Sequence, residues 1–381
     1  MTGEELVIRG GTIVHPADGR LEPGEVWIEE GRIARPRRGA SEEIDATGLY
    51  VSPGFIDLQV NGGVGHNFED ASPEEIDRIV GFHVSHGTTG LLPTTVTAPI
   101  PAIRRAMARV REAGHAAILG MHIEGPFISP ARKGAHNPKH IIAPSVEGFD
   151  ELASGYSGFI AIVTLAPELP GADGVIARIR EIGAIPSLGH SNATYEEGLA
   201  AIERGVRLFT HVFNGMRRFR HRAPGAVGAG LVSDVMVELI ADRIHVHPGA
   251  IRLLYKVKGP EQIALVTDAI SAAGLPDGEY GLGGLEISVR EGIARLTDGT
   301  LAGSTLTMDR AVRVYMEATG CSLPEAVRAA SLNPAGLLGI DDRKGEIEGG
   351  KDADIVIFDR DLTVHYTLIN GEVAYARDRQ G

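Results

Sequence analysis

Cysteine is almost absent from this chain, which has 381 residues and a single cysteine, Cys321. No disulfide can form within the chain, and we expect a protein of the reducing cytoplasm. No apolar run approaches the roughly 18 residues of a membrane-spanning helix. The first residues, MTGEELVIRGGTIV, contain neither the basic start nor the apolar stretch of a signal peptide, so we predict no secretion signal.

Basic residues are also in deficit: 37 lysines and arginines stand against 50 aspartates and glutamates, a formal net charge of −13. Nucleic acids and anionic membranes are bound by basic surfaces, so this charge argues against both as partners. A small anionic substrate is not excluded, because a local group of basic residues can override the average charge. Glycine, in contrast, is abundant at 50 residues, which suits a fold with many tight turns.

Short apolar runs alternate with helical patterns between about residues 51 and 344. A short apolar run bounded by turn signals is typical of a buried strand, and buried strands that alternate with helices indicate a parallel sheet. We therefore predict a TIM-like (β/α)8 barrel for residues 51–344. Some of its helices begin with a capping box, formed by Ser72 with Glu75, Thr194 with Glu197, and Ser322 with Glu325.

The two ends of the chain have a different character. Residues 1–50 and 345–381 both contain patterns typical of short strands separated by turns, as in ELVIRGGTIV and ADIVIFD. The economical interpretation is one small β-sandwich module that both ends build beside the barrel. The alternative is two unrelated tails.

Four apolar runs end in a residue that can bind a metal ion or carry a proton. In a (β/α)8 barrel the carboxyl ends of all strands meet at one mouth, where the active site lies. One glutamate with two histidines matches a catalytic zinc site, which uses three such ligands and leaves a fourth position for water. The sequence thus predicts a metal-assisted hydrolase whose key residues are Glu124, His190, His211 and Asp268.

Segments along nearly the whole chain resemble the N-acetylglucosamine-6-phosphate deacetylase family of the amidohydrolase superfamily. HIEGPF and THVFNGM are typical of this family, whereas the NPA segment and ADIVIFD mark only the superfamily. The resemblance implies hydrolysis of the acetamide of N-acetylglucosamine 6-phosphate to glucosamine 6-phosphate and acetate. The matching segments are VSPGFIDLQVNG, MHIEGPFISPARKGAHNP, LGHSNAT, THVFNGM, LVTDAISAAG, SLNPAGLLGI and KGEIEGGKDADIVIFD.

The resemblance makes Glu124, His190 and His211 the ligands of one divalent metal ion. Zinc is the ion we expect, although iron, cobalt or manganese also suits these ligands. Gln59 and Asn61 stand where many amidohydrolases carry a histidine pair for a second metal. Because amides bind such metals more weakly than imidazoles do, we predict one tightly bound ion.

Asp268 is the candidate general base and acid. A bound metal lowers the pKa of its water to about 7, and Asp268 would take a proton from that water and pass it to the departing amine. The alternative is that Asp268 caps the turn that follows it. His136, which the resemblance places against the substrate, could donate a hydrogen bond to the developing oxyanion. Its alternative is a loop histidine bonded to backbone.

The basic residues of this acidic chain are densest at Arg217, Arg218, Arg220, His221 and Arg222. Arginine matches phosphate oxygens through paired hydrogen bonds, although most charge runs are solvated surface. The resemblance singles out Arg222 as a phosphate contact. It also implies a homodimer, in which the partner subunit can supply a phosphate contact.

Further substrate contacts follow from the resemblance alone. His245 belongs to the predicted phosphate site, and residues 301–303 resemble a loop that covers the sugar, with an ordinary turn as the alternative. Arg243 stands where the family has glycine, and Gly215 where alanine is usual. The substrate contacts that the resemblance implies are Ala135, His136, Asn214, Gly215, Arg222, His245, Leu301, Ala302 and Gly303.

Two rival functions remain open at this point. Another amidohydrolase, acting on a different N-acyl amino sugar or a cyclic amide, would keep the metal ligands and Asp268 but would not need Arg222 or His245. A barrel that has lost catalysis and serves as a binding protein is the second rival. The complete set of Glu124, His190, His211 and Asp268 argues against it.

Overall fold

The computed structural model describes residues 5–36 and 40–377. Residues 1–4, 37–39 and 378–381, which the predicted terminal module includes, lie outside the described residues. The β-strands are β1 (Leu6–His15), β2 (Arg20–Glu29), β3 (Arg32–Ala34), β4 (Glu42–Asp45), β5 (Tyr50–Pro53), β6 (Phe55–Val60), β7 (Gly62–Gly63), β8 (His66–Asn67), β9 (Thr88–Thr95), β10 (Met121–Glu124), β11 (Ile160–Leu165), β12 (Ile185–Leu188), β13 (Leu208–Phe209), β14 (Met236–Ile240), β15 (Ile263–Val266), β16 (Gly278–Leu282), β17 (Leu285–Arg290), β18 (Ile293–Leu296), β19 (Ile355–Phe358), β20 (Val364–Ile369) and β21 (Glu372–Ala376).

Helices follow most of the barrel strands, and short 3-10 turns lie at 130–132 and 138–140. No helix in the described ranges is long and apolar enough to cross a membrane. The α-helices are α1 (Pro73–Ser85), α2 (Ile100–Ala113), α3 (Val146–Ala153), α4 (Ala172–Glu181), α5 (Tyr195–Glu203), α6 (Gly225–Val232), α7 (Pro248–Lys258), α8 (Met308–Thr319), α9 (Leu323–Ala330) and α10 (Leu332–Leu338).

A parallel barrel forms the centre of the molecule. Its strands lie in the order β6, β9, β10, β11, β12, β13, β14 and β15, and each pairs in parallel with the next. The first and last strands meet through a parallel bridge between Val60 and Ala269. Every residue of β6, β9 and β15 is buried, as expected for strands covered on both faces. The predicted (β/α)8 barrel is confirmed.

The predicted capping boxes are present at the starts of α1, α5 and α9. In α1, the Ser72 hydroxyl accepts from the backbone N–H of Glu75, whose carboxylate accepts from the backbone N–H of Ser72. Each box satisfies donors that the first helical turn leaves without intrahelical partners. These local signals place the helix starts, and therefore the lengths of the loops that precede them.

Both chain ends share one sheet beside the barrel, with strand order β21, β20, β19, β5, β1, β2 and β3. β4 pairs with residues 6–9 of β1, and β5 pairs with Thr12 and Ile13 after an irregularity near Gly11. The sheet encloses a separate apolar core that includes Ile8, Ile28 and Ile355. The predicted terminal β-sandwich is confirmed as part of the fold. Its exact limits at residues 50 and 345 stay a prediction, and β5 runs past the first of them to Pro53.

An antiparallel sheet of β16, β17 and β18 follows β15 and is absent from the sequence prediction. It packs its own apolar cluster, which includes Ile287 and Val289, against Ile270 at the barrel mouth. Positive-φ glycines, among them Gly283 and Gly292, form its turns. This insert places residues 294–303 over the carboxyl end of the barrel, because Ala269 bridges to Ser304.

Lys258 ends α7 with a buried side chain, 5% exposed as a residue. Its Nζ donates to the carbonyl oxygens of Gly230, Ser233 and Val235 at 3.0, 2.5 and 2.7 Å. Burial lowers the pKa of Lys258 to about 8. The ammonium group therefore caps the C-terminal end of α6 and holds the turn that leads into β14 by hydrogen bonds to their carbonyl oxygens.

Replacing Lys258 by alanine should lower the free energy of unfolding by about 2–4 kcal/mol, because buried carbonyl oxygens lose their donor and a cavity opens. Urea denaturation followed by circular dichroism measures the change. Lys256→Ala, at an exposed position of the same helix, is the matched control. Equal stability of the two variants would contradict the interpretation.

Candidate active site

The carboxyl ends of four barrel strands bring together the residues that the sequence analysis singles out. Glu124 is the last residue of β10, and His190, His211 and Asp268 each follow β12, β13 and β15 by two residues. Those three have positive φ angles of 45°, 31° and 49°. This left-handed conformation is costly for residues other than glycine, and such strain is concentrated at functional sites. It turns each side chain from its strand into the barrel mouth.

Glu124, His190 and His211 form a compact donor set. Their ligand atoms all lie within 4.8 Å of one another, and the residues are buried. Glu124 Oε1 is 3.0 Å from His190 Nε2 and 2.9 Å from His211 Nε2. One carboxylate with two imidazoles is the donor set of a known class of catalytic zinc site. The chemistry of these residues therefore fits a divalent ion.

The orientation of His190 is held by its surroundings. His190 Nδ1 lies 2.8 Å from the carbonyl oxygen of Arg132, so Nδ1 carries the proton and Nε2 presents its lone pair to the site. A Cβ atom at Gly134 would lie 3.0 Å from His190 Cε1, and one at Gly215 would lie 2.9 Å from Nδ1. Both glycines have positive φ. Their backbones pack on the ring where a side chain would displace it.

Charge is concentrated around Glu124. Burial alone would raise its pKa, but the neighbouring His136, His190 and His211 outweigh burial and hold the pKa well below its usual value. Burial also works to lower the pKa of His211, yet the hydrogen bond and charge of Glu124 raise it to about 9. The carboxylate is thus ionised at neutral pH and surrounded by nitrogen atoms.

Asp268 faces the same pocket and is 8% exposed. The amide of Asn61 donates to Asp268 Oδ1 at 2.6 Å. Burial, followed by the charge of Glu124, raises the pKa of Asp268 to about 6. The turn that follows is capped by the neighbouring Thr267, whose hydroxyl accepts from the N–H of Ala269 at 3.2 Å. The Asp268 carboxylate is therefore directed to the pocket and not to the turn.

His136 lines the same pocket as Asp268, with its ring centre 4.3 Å from that of His190. Its Nδ1 accepts from the backbone N–H of Thr97 at 3.1 Å, so the neutral ring carries its proton on Nε2. Nε2 lies 3.7 Å from Glu124 Oε2. Burial lowers the pKa of His136 to about 4, so the ring is neutral at pH 7. The backbone hydrogen bond that the loop alternative predicts is present. Because it occupies Nδ1, the N–H donor of the ring is at Nε2, which faces the site.

A cavity of about 290 Å³ lies over these side chains. The predicted substrate residues differ in their relation to it. Ala302 is fully buried behind its wall, and Arg222 is exposed and does not line it within this chain. The predicted contacts that do line the cavity are Ala135, His136, Asn214, Gly215, His245, Leu301 and Gly303.

His245 lines this cavity and has its Nε2 atom available to a ligand, because its Nδ1 atom is hydrogen-bonded to Asp242. His245 Nδ1 lies 2.6 Å from Asp242 Oδ2, and its side chain is 6% exposed. The Asp242 carboxylate also accepts from the backbone N–H groups of Ile244 and His245. Arg243 has a φ of 69° within this turn, the conformation that glycine adopts at least cost, and its guanidinium pairs with Glu317. The turn therefore has a backbone conformation typical of glycine, although residue 243 is an arginine.

Sequence reasoning missed other residues of the site. The sequence indicates Asn61 only as a weak metal ligand, and no local pattern signals its hydrogen bond to Asp268. Thr97 and Arg295 were not singled out, although Thr97 sets the His136 tautomer and Arg295 lines the cavity. Gln59 is buried, and neither of its amide atoms has a hydrogen-bond partner in the described part of the chain.

Comparison with known proteins agrees with this geometry. A model of the amidohydrolase family matches residues 50–374. The chain belongs to the amidohydrolase family. Amidohydrolases of this kind are metal-dependent, and the donor set of Glu124, His190 and His211 suits that chemistry.

Several amidohydrolases resemble the chain over nearly its whole length. N-acetylglucosamine-6-phosphate deacetylase of Lysinibacillus sphaericus is 39% identical over 97% of each chain. N-acetylgalactosamine-6-phosphate deacetylase of Escherichia coli O157:H7 is 39% identical over 94% of this chain and 96% of the relative. An N-acetyl-D-glucosamine-6-phosphate deacetylase mutant from Mycobacterium smegmatis, solved with N-acetyl-D-glucosamine-6-phosphate, has a TM-score of 0.91 at 34% identity and covers 99% of this chain and 100% of its own. The predicted family resemblance is confirmed.

His211→Ala should weaken zinc binding by more than about 100-fold, because the variant loses one of three ligand atoms. Competition with a chromogenic chelator measures the affinity. His247→Asn is the matched control, since this exposed residue caps α7 through its side chain and asparagine is also a good cap. Undiminished zinc affinity of the His211 variant would remove this residue from the ligand set.

Proposed function

We propose that this protein is a deacetylase that converts N-acetylglucosamine 6-phosphate and water into glucosamine 6-phosphate and acetate. One observation carries the proposal: the donor set and Asp268 share one cavity, in a chain similar over nearly its whole length to such deacetylases. The single cysteine supports a cytoplasmic site of action.

One divalent ion per subunit, zinc by preference, would be held by Glu124, His190 and His211 and would polarise the acetamide carbonyl and acidify water. Iron, cobalt and manganese suit the same donors. We assign no second tight ion to Gln59 and Asn61, because amides are weak ligands and the Asn61 amide is engaged by Asp268.

Asp268 is the proposed proton carrier. Its carboxylate accepts a proton from the water that attacks the carbonyl carbon, and it delivers that proton to the nitrogen as the C–N bond breaks. A pKa raised to about 6 suits both steps near neutral pH. The Asn61 amide orients the carboxylate through Oδ1 and leaves Oδ2 for the water.

His136 is the proposed hydrogen-bond donor to the carbonyl oxygen. The Thr97 N–H places the proton of the neutral ring on Nε2, and that nitrogen faces the pocket. A donor held by the fold in this way stabilises the charge that develops on the oxygen.

The substrate contacts remain proposals. We assign the phosphate to His245 of the same chain and to Arg222 of a second copy in a homodimer, because Arg222 is exposed and lies outside the cavity of its own chain. The proposed sugar contacts are Ala135, Asn214, Gly215, Leu301 and Gly303, which line the cavity, whereas the fully buried Ala302 supports this wall from behind.

N-acetylgalactosamine 6-phosphate is the second candidate substrate, because a relative of equal identity is named for it. The two sugars differ only in the configuration of one hydroxyl group. Both candidates keep the same metal and proton chemistry. A catalytically silent binding protein is the remaining rival.

We expect the zinc-loaded protein to release acetate from N-acetylglucosamine 6-phosphate at least about 100-fold faster, in kcat/KM, than from unphosphorylated N-acetylglucosamine, because binding energy at the phosphate assists the reaction. Enzymatic measurement of acetate tests this. Preference for the galactosamine epimer would transfer the assignment to the second candidate. Equal rates with and without phosphate would reject the phosphate site, and no release from any of these sugars would reject the function.

Asp268→Asn should lower kcat by about 10³-fold or more, because the amide cannot accept the proton of the water. Zinc content and thermal stability should stay close to those of the parent. Asp277→Asn, an exposed residue of the β15–β16 connection, is the control. Near-parental turnover of the Asp268 variant would refute the assignment of the proton carrier.

A further inference from the structure

We propose that Arg295 binds the phosphate group of the substrate from within the same chain. This inference rests on the proposed function and names a specificity residue for it. Arg295 lies on β18, in the insert that covers the barrel mouth. No pattern in the sequence singles it out.

The insert carries Arg295 to the edge of the active-site cavity. β18 pairs with β17, and an antiparallel bridge joins Arg295 to Leu301. Arg295 lines the cavity together with Gly299, Thr300 and Leu301. The guanidinium thus lies beside the segment proposed to cover the sugar, in the same cavity as the buried carboxylates Glu124 and Asp268.

Among the cavity-lining residues of the described chain, Arg295 is the one arginine or lysine. Its Nη1 donates to the carbonyl oxygen of Gly299 at 2.8 Å, which positions the group without neutralising it. Across the described ranges, no carboxylate forms an ion pair with Arg295. Arg290 in the same sheet, in contrast, forms an ion pair with Glu279, whose Oε1 lies 2.5 Å from Arg290 Nη2. Arg295 therefore keeps its positive charge available to a ligand.

A cation at the cavity mouth complements the charge of a phosphorylated ligand. A phosphate monoester carries a charge of about −1.5 to −2 at pH 7, and the cavity already contains Glu124 and Asp268. Guanidinium has five N–H donors, and the Gly299 contact uses one of them. The remaining donors match phosphate oxygens in paired geometry. Arg295 is exposed at the cavity mouth, where the phosphate can remain hydrated while the acetamide reaches the buried donors.

Arg295 differs from Arg222 in its dependence on assembly. Arg222 lies outside the cavity of its own chain and can act only if a second copy presents it. Arg295 already lines the cavity of a single chain. Its contribution should therefore persist in mixed dimers in which the partner subunit carries the substitution.

Arg295→Ala should lower kcat/KM for N-acetylglucosamine 6-phosphate by about 10–100-fold, mainly through KM, and leave the rate with unphosphorylated N-acetylglucosamine within about twofold. The kcat/KM of Arg295→Lys should lie between those of the parent and the alanine variant, because lysine keeps the positive charge but lacks the paired donors of the guanidinium group. Arg290→Ala is the matched control in the same sheet. Equal losses with both sugars, or the same kinetics as the Arg290 variant, would overturn the inference.

Direct binding separates this inference from the proposed function. Calorimetry with glucosamine 6-phosphate and with glucosamine requires no turnover. A loss of about 10-fold in affinity of Arg295→Ala for the phosphorylated sugar alone would support the phosphate contact even if the parent released no acetate. Unchanged affinity for glucosamine 6-phosphate would refute it even if the parent were an active deacetylase.

Discussion

The seam that closes the barrel between β6 and β15 is the interaction on which the site depends. Asp57 Oδ2 accepts from the Thr267 hydroxyl at 2.5 Å, and the N–H of Asp268 donates to the carbonyl oxygen of Gln59 at 2.9 Å. The N–H of Asn61 then donates to Ala269, while its side chain holds Asp268. Without this seam the sheet would stay open, and strand ends on its two edges could not surround one cavity. The bonds that close the barrel therefore also aim the proposed proton carrier.

The barrel interior below the site is polar and hydrogen-bonded. His122 Nε2 contacts the Thr164 hydroxyl at 2.7 Å, and the Thr210 hydroxyl lies 2.6 Å from those of both Thr164 and Ser187. Burial lowers the pKa of His122 to about 4, so this network carries no imidazolium charge at neutral pH. This network of hydrogen bonds links adjacent strands through their side chains, in addition to the backbone hydrogen bonds of the sheet. It gives the strained turns at His190 and His211 a rigid base.

The distribution of charge suggests how an acidic protein can accept an acidic substrate. The cavity is lined by the buried carboxylates of Glu124 and Asp268, by His245 and by the exposed Arg295. A ligand with an acetamide at one end and a phosphate at the other would meet both the donor set and a cation in one cavity. The overall charge of −13 has little influence at this scale, because charges beyond about 10 Å are screened at ordinary salt concentrations.

Much of the architecture is a local property of the chain and could be predicted. Apolar runs that stop at Glu124, His190, His211 and Asp268 indicate both the strands and the edge at which these side chains must meet. Capping boxes such as Ser72 with Glu75 determine helix starts from four consecutive residues. Parallel strands expose their carboxyl ends on one side, so periodicity alone places the donor set together.

Only the tertiary structure shows the contacts between residues that are far apart along the chain. Asn61 and Asp268 are 207 positions apart, and only barrel closure makes them partners. The His136 tautomer is set by Thr97, 39 positions away, and Arg295 enters the cavity because an unpredicted sheet folds over the mouth. Arg222, which the family resemblance implies as a phosphate contact, lies outside the cavity of its own chain. Sequence patterns report local periodicity and residue chemistry, whereas the partner of a buried polar group is selected by packing between elements that are remote along the chain.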